Sequence, residues 1–221
     1  MKNLFLLTTS LFFSALVFAQ SNINVGLKAG LSSASMRGDA VENLGSLIEQ
    51  TNGIINTKSR TGFYAGGFID LPLSKDFSIE SGVYYAQKGY ELQGDFNIKG
   101  IGFLGANAST QLQADYIDIP LLLKIKVGEF QAFFGPQVSY LTNATLRSRA
   151  GVLGINLLNN KTDVTSNFNE WDMGITAGIG YAVTPNLTLQ AAYDYGLTQV
   201  DANRSVNSFN QAVKVGLAVN F

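Results

Sequence analysis

The chain of 221 residues carries 15 basic and 16 acidic side chains, 14% charged residues in all, and neither cysteine nor histidine. This composition excludes disulfides and thiolate metal sites, and it removes the commonest general base and transition-metal ligand. No cofactor or enzymatic activity is indicated, and a nearly neutral chain is not expected to bind nucleic acid. Because a soluble domain typically has about 25% charged residues, something other than water is expected to cover much of the surface.

The first element is an apolar run that follows Lys2 and extends from about Leu4 to Phe18. The positive start, the length of the run and the small Ala19 after it are typical of a cleavable secretory signal peptide. A retained N-terminal anchor helix is the alternative, although the run is short for a membrane span. We therefore predict a signal peptide at residues 1–19 and one exported domain at residues 20–221.

After this segment, apolar residues recur at every second position in eight separate stretches. Strict alternation predicts strands with two unlike faces. The stretches are 23–31, 61–71, 77–90, 116–127, 130–141, 171–183, 187–197 and 213–221. Each is near or above the roughly 9–11 residues with which a tilted strand crosses a membrane.

The connections between these stretches alternate in length. Three are tight turns, with the sequences PLSKD, VGE and TPN. Four are long and polar: Ser35 to Arg60, Leu92 to Gln111, Thr142 to Glu170 and Val200 to Asn210. This layout predicts an all-β, eight-stranded, antiparallel up-and-down transmembrane barrel with short periplasmic turns and long extracellular loops. A soluble barrel with the apolar face as its core is the alternative.

Charged residues fall on the face opposite the apolar one. They are Lys28, Glu80, Lys88, Asp118, Lys124, Lys126, Asp172, Asp194 and Lys214. Because the interior of an eight-stranded barrel is just wide enough for its side chains, these groups are expected to pair across the lumen and fill it. Counting from the short turns places Glu80 level with Lys124. A proton or ion path is the alternative use of such charges.

Aromatic residues concentrate at strand ends. Near the long connections are Trp171, Tyr140, Tyr85 and Tyr195, and near the short turns are Phe77, Phe130, Tyr181 and Phe221. Two such belts are expected where amphipathic rings lie at the two membrane interfaces.

Two of the long connections have patterns of their own. In Asp39–Gln50, apolar residues at helical spacing after a capping-box-like start predict a short amphipathic helix over the barrel mouth, or a helix that docks a partner. The apolar stretch Ala150–Leu158 predicts either an extension of the sheet above the membrane or a contact surface.

Several stretches resemble the PorT family of outer-membrane β-barrel proteins from Bacteroidetes. They are NVGLKAGL, YIDIPLLLKIKVG, FFGPQVSYL and the terminal Phe221, and the most specific of them is Tyr116 to Lys124. The resemblance extends over the whole mature chain and implies an outer-membrane location, with outer-membrane lipid around the barrel. It also implies that Phe221 is the signal that the barrel-assembly machinery reads during biogenesis.

The resemblance implies less about the role, because members of the family are diverse and one namesake is linked to protein secretion. We expect a non-enzymatic protein with a structural or surface-interaction role, whose extracellular loops contact envelope or surface proteins. Two alternatives are an envelope accessory factor in protein secretion or transport and a soluble periplasmic ligand-binding barrel.

Overall fold

The computed structural model describes residues 23–38, 55–97, 105–152, 155–202 and 207–221. Nearly all of them lie in nine strands: β1 (Asn24–Arg37), β2 (Ile55–Pro72), β3 (Phe77–Asn97), β4 (Gly105–Val127), β5 (Phe130–Val152), β6 (Ile155–Asp163), β7 (Trp171–Thr184), β8 (Leu187–Gly196) and β9 (Phe209–Asn220). One turn of 3₁₀ helix, Thr165–Asn167, precedes β7. The predicted signal peptide and the predicted helix Asp39–Gln50 lie outside the described residues.

Eight of the strands close into an antiparallel barrel. The order of hydrogen-bonded neighbours is β4, β3, β2, β1, β9, β8, β7 and β5, and β5 pairs again with β4. The first strand pairs with the last from Gly26 opposite Asn220 to Arg37 opposite Phe209. This closure satisfies the backbone of the last strand, so the chain can end on an alternating stretch without leaving a free edge. The predicted eight-stranded barrel is confirmed.

The ninth strand was predicted only as one of two interpretations of the stretch Ala150–Leu158. β7 pairs with the lower part of β5, from Phe130 to Tyr140, and β6 pairs with its upper part, from Thr145 to Val152. β6 therefore continues the sheet above β7 and does not enter the barrel wall. Residues 150–152 lie at the end of β5 and residues 155–158 at the start of β6, so the described parts of this stretch extend the sheet.

The strands on one side of the barrel are much longer than expected. β3 has 21 residues, and β4 and β5 have 23 each. The loops predicted at Leu92 to Gln111 and Thr142 to Glu170 are therefore wrong at residues 92–97, 105–111, 142–152 and 155–163, and the loop predicted at Ser35 to Arg60 is wrong at residues 35–37 and 55–60. The cause is physical: beyond the acyl chains neither face of a sheet meets hydrocarbon, so backbone pairing can continue where the outward side chains are no longer apolar.

The two faces of the barrel are as predicted. Large apolar side chains point outward, as with Leu121, whose exposed fraction is 54%, while its neighbour Leu122 is 3% exposed inside the lumen. Most buried charged and polar groups lie inside. This distribution is the inverse of that in a soluble barrel, whose apolar side chains line the interior.

Aromatic pairs mark both ends of the β5–β7 pair. The rings of Tyr140 and Trp171 are 5.0 Å apart at the upper end, and those of Phe130 and Tyr181 are 5.0 Å apart at the lower end. The two predicted aromatic belts therefore have counterparts in these two strands.

The turn between β4 and β5 lies at the lower end of the barrel. Gly128 in this two-residue turn adopts a φ of 61°, a conformation that glycine reaches without steric cost.

Candidate functional site

The periplasmic half of the lumen contains five charged side chains that form one group, which we call the lower cluster. Glu80 at its centre accepts hydrogen bonds from Lys28 Nζ at 2.7 Å and from Lys124 Nζ at 3.0 Å. Asp70 lies 3.7 Å from Lys124 Nζ and 3.2 Å from Lys126 Nζ. The side chain of Lys126 is 38% exposed, so the lower cluster runs from the buried interior to the periplasmic rim.

The other half contains a second group, the upper cluster, with the same kind of centre. Asp118 is fully buried, and its two carboxylate oxygens lie 2.9 Å from Lys88 Nζ and 2.9 Å from Lys214 Nζ. Lys214 also lies 2.5 Å from Asp194 Oδ2, and Lys88 donates a hydrogen bond to Ser139 at 3.0 Å. The neighbouring strands β3 and β4 are thereby joined across the lumen to β9, which is distant from both in sequence.

Three aromatic rings surround Lys28 of the lower cluster. Lys28 Nζ lies 5.3 Å from the ring centroid of Phe68, 5.5 Å from that of Tyr84 and 5.6 Å from that of Phe133. Contacts of this kind favour a cation, most strongly where water is excluded. They offset part of the cost of burying an ammonium group.

The lysines of the upper cluster also lie over rings. Lys88 Nζ is 4.6 Å from the ring centroid of Tyr116, and Lys214 Nζ is 5.4 Å from that of Tyr64. The Tyr64 ring fits because Gly30 and Gly216 lie opposite each other on the inner face of β1 and β9. A Cβ atom on Gly216 would collide with the Tyr64 hydroxyl, so this close approach requires glycine.

Asp172 is buried on the lumen side of β7, but it belongs to neither cluster. Its Oδ2 accepts a hydrogen bond from Asn210 Nδ2 at 2.8 Å, and the same amide group lies 3.3 Å from the Tyr116 hydroxyl. No ion pair to Asp172, and no hydrogen bond to its Oδ1, is found among the described residues. It is held by an amide rather than by a lysine.

The structure brings Glu80 and Lys124 together, but in a different register from the predicted one. Glu80 lies opposite Leu122, and Lys124 lies opposite Ser78. β4 extends two residues further toward the periplasmic turns than counting from the strand ends assumes, as expected for the stagger of a closed barrel. The 3.0 Å contact therefore runs diagonally, across a separation that a long lysine side chain can span.

Asp70 is the main charged residue of the lumen that the sequence reasoning missed. It is 2% exposed and bridges two lysines. The sequence nevertheless indicated that Asp70 points inward. The outer face of the same stretch is defined by Phe63, Ala65, Ile69 and Leu71, and residue 70 falls on the opposite face. The inward aromatic residues Phe68, Tyr84 and Phe133 were missed because aromatic rings were expected at the lipid interfaces.

The extracellular mouth is closed by two segments that hydrogen-bond to each other. Asn169 donates its backbone N–H to the Val200 carbonyl at 2.9 Å, and Ala202 donates to the Asn167 carbonyl at 3.1 Å. Beneath them, Phe168 packs against the buried Leu112. The barrel is thus covered on the outside by its own chain.

Within the part of the barrel that the structure describes, two cavities in the lumen measure about 10 and 40 Å³. Such spaces hold single waters rather than a solute. A larger cavity of about 210 Å³ opens at the periplasmic mouth, where Asp70, Lys124, Lys126 and Gln131 line it. The lumen is therefore filled at its centre and accessible from below.

No group of three or more acidic residues in the described ranges is arranged to hold a metal ion. No helix in the described part of the chain is long and apolar enough to cross a membrane.

A family model of the outer membrane protein beta-barrel domain matches residues 18–202, most of the chain. The chain belongs to this family. The outer membrane is accordingly its location. No curated protein matches the chain.

Three solved structures illustrate the likeness in fold. The chain is similar to Neisserial surface protein A (NspA), at 16% identity and a TM-score of 0.48, with 90% of this chain and 99% of that one covered. It is also similar to Ail, the attachment invasion locus protein of Yersinia pestis, at 10% identity and a TM-score of 0.42, covering 90% and 98%. The third is the outer membrane protease OmpT from Escherichia coli, at 13% identity and a TM-score of 0.36, covering 90% and 97%.

Proposed function

We propose that this protein is a non-enzymatic outer-membrane barrel that acts through its extracellular surface, in a structural or protein-binding role. Within the wider family we assign it to the PorT type from Bacteroidetes, on the residues Tyr116 to Lys124, and we assign residues 1–19 as its signal peptide. A filled lumen supports this role over transport of a solute. The lack of histidine and cysteine supports a function without catalysis.

The observation that carries the proposal is the sheet that stands above the membrane. β3, β4 and β5 have 21 to 23 residues, about twice what a tilted strand needs to cross. Their upper parts pair with each other, with the start of β2 and with β6. Crossing the membrane does not require these additional residues, so the five-stranded sheet must serve another purpose.

The outer edge of β6 is the part of this sheet best suited to binding a partner. β6 pairs with β5 on one side, and no strand pairs with its other side among the described residues. An unpaired edge presents backbone N–H and C=O groups to which an extended segment of another protein can add as a further strand.

The test is a variant in which residues 146–162, which include nearly all of β6, are replaced by Asn-Gly. Thr145 and Asp163 lie opposite each other, so a two-residue turn joins them without changing the membrane part. Membrane-impermeant crosslinking on intact cells is then compared between the original and shortened proteins. We expect the shortened barrel to fold, as heat-modifiable gel migration reports, and to lose the crosslinked surface proteins. Unchanged crosslinks would contradict the proposal.

A role as accessory factor in secretion or transport is the second candidate, and the open periplasmic cavity favours it. Photo-crosslinking residues at two positions separate the candidates: Lys75 lies in the periplasmic turn after β2, and Asn160 is exposed on β6. Crosslinks to envelope proteins only from position 160 support the surface role. Crosslinks to secretion components only from position 75 support the accessory role.

Phe221 is proposed as the recognition signal for the barrel-assembly machinery. Its side chain is 73% exposed, and its backbone N–H donates to the Val25 carbonyl at 2.9 Å. The ring is therefore accessible at the seam between the first and last strands. Phe221→Ala is expected to slow assembly in cells while leaving refolding of the purified barrel unchanged.

A further inference from the structure

The outward face of the extracellular sheet carries three cations that we call the cationic patch: Arg147, Arg149 and Lys161. Arg147 on β5 lies directly opposite Lys161 on β6, and Arg149 lies one pleat further along, opposite Asn159. Like charges directly opposite each other destabilise an antiparallel pair. The sheet thus contains a charge arrangement that its own folding does not favour.

The residues that lie side by side across the sheet, from β2 to β6, form one row. This row shows that the pairing of like charges is local to β5 and β6. Lys58 lies opposite Glu91, Glu91 opposite Gln111, and Gln111 opposite Arg147, which ends the row against Lys161. At the β2 end of the row a cation is matched by an acid, and at the β6 end a cation faces a cation. The net charge of the whole chain is only −1, so the excess of positive charge at the β6 end is not evident from the composition.

The nearest acid on β6 is Asp163, and it is engaged elsewhere. Its carboxylate accepts hydrogen bonds from the Thr165 backbone N–H at 2.9 Å and from the Thr165 hydroxyl at 2.7 Å. These bonds lower the pKa of Asp163, and the charge of Lys161 adds to the effect. Among the described residues, no ion pair or hydrogen bond is found for the side chains of the cationic patch.

The patch lies on the side of the sheet that continues the lipid-facing wall. Leu146 packs inward, together with Leu112 and Val200 beneath the covered mouth. Because side chains alternate along a strand, Arg147 and Arg149 point the opposite way. Arg149 and Lys161 are exposed and Arg147 is half-buried, so a ligand beside the barrel can reach all three.

The patch lies just above the polar layer of the outer leaflet, within reach of it. Arg147 is separated from Tyr140 by six rungs, since Thr142 is unpaired at a bulge. Six rungs correspond to about 20 Å along the strand, or at the usual tilt about 15 Å above the aromatic pair of Tyr140 and Trp171. The headgroup layer is about 5–8 Å thick on each side of the acyl chains, and the long arginine and lysine side chains extend back several Å to its outer margin.

We propose that the cationic patch binds the phosphate groups of a glycolipid in the outer leaflet. Guanidinium groups bind phosphate through paired, charge-assisted hydrogen bonds, and an ammonium group adds a point charge. A bound phosphate would also relieve the repulsion between Arg147 and Lys161. Clusters of basic residues at a membrane surface bind anionic lipids in this way.

The test uses Trp171, the single tryptophan of the chain, which lies at the upper end of β7 beside β5. The purified barrel is placed in phosphatidylcholine nanodiscs with increasing amounts of dansyl-labelled diphosphoryl lipid A, and energy transfer from Trp171 reports the enrichment of this lipid. We expect half-saturation in the R147Q/K161Q variant to need at least tenfold more lipid A than in the original protein. The matched control K58Q/K75Q, which also removes two positive charges, is expected to behave like the original protein.

Further measurements in the same assay identify the chemical group that the cationic patch binds. Lipid A without phosphate is expected to give no enrichment, and 0.5 M NaCl is expected to weaken the enrichment at least threefold. R149Q serves as a second variant, with a smaller loss, should R147Q/K161Q fail the heat-modifiability test for folding. Equal enrichment in all folded variants overturns the proposal. Displacement of lipid A by micromolar inositol hexakisphosphate also overturns it, because the ligand is then a soluble polyanion.

Discussion

The two charged clusters of the lumen are built alike but lie in different surroundings. Each has a buried carboxylate, Glu80 or Asp118, held by two lysines. In each, one of these lysines also reaches a second aspartate: Lys124 reaches Asp70, and Lys214 reaches Asp194. The arrangement is repeated at two levels of one barrel.

The two clusters differ in what their second aspartate, Asp70 or Asp194, contacts in addition to its lysine. Asp70 continues to the half-exposed Lys126 and lines the cavity at the periplasmic mouth. Asp194 instead accepts a hydrogen bond from Thr176 at 2.8 Å and stays buried. Bulk water can therefore screen part of the lower cluster but not the upper one. The same set of charges is expected to be more costly to disrupt where water is excluded.

Removing the centre of the upper cluster should have the largest effect. Asp118→Asn leaves Lys88 and Lys214 buried with one fewer anion between them, and we expect the free energy of unfolding to fall by about 5 kcal/mol. Urea unfolding of the purified barrel in lipid measures this change. A loss below about 1 kcal/mol would mean that water reaches the upper cluster after all.

The equivalent change in the lower cluster should cost less. Glu80→Gln is expected to lower the free energy of unfolding by about 3 kcal/mol, because Lys124 retains Asp70 and is close to water. Combining it with Lys124→Met should recover part of the loss, with a coupling of roughly 0.5–3 kcal/mol in a double-mutant cycle. If the two losses simply add, the diagonal contact does not couple the residues.

Asp172 provides a contrast to both centres, because it is buried without a lysine. Asp172→Asn keeps an oxygen for Asn210 and removes an unpaired charge, so stability should stay within about 1 kcal/mol or rise. The midpoint of urea unfolding, compared directly with that of Asp118→Asn, checks this. A loss as large as that of Asp118→Asn would show that Asp172 has an ionic partner in the lumen.

Lys126 should matter least. Its side chain is 38% exposed at the rim, and ion pairs in contact with solvent contribute about 0–1 kcal/mol. Lys126→Gln is therefore expected to shift the urea midpoint only slightly, and the shift should vanish in 0.5 M NaCl. A large, salt-independent loss would place Lys126 in the buried part of the lower cluster.

The sequence predicted which face each lumen charge occupies, because alternation determines the face by parity. Leu121 outside and Leu122 inside follow from that rule, and so does the inward position of Asp70, although it was overlooked. Parity does not determine register. The position of Glu80 opposite Leu122 depends on the stagger of the closed barrel, which no single strand encodes.

The sequence also failed to predict where strands end outside the membrane. In LQGDFN and GANASTQLQ, at the upper ends of β3 and β4, apolar and polar residues still alternate, but the apolar ones fall at even positions. The exposed apolar residues of the membrane part of the same strands, such as Val83 and Ile119, fall at odd positions. An alternation with reversed parity and mostly small residues does not read as a continuation of the lipid-facing pattern. These segments are held by cross-strand backbone pairing, to which side-chain pattern contributes little. The predicted loops therefore became the sheet on which the proposed function depends.

The central claim is that the lumen is filled, so that the protein acts through its surface and not as a pore. Single-channel recording of the purified barrel in planar bilayers tests this most directly, with Asp118→Asn and Glu80→Gln recorded beside it. We expect no steady conductance from the original protein, and at most brief, small openings from the two variants. Stable openings of porin size from the original protein would contradict the account.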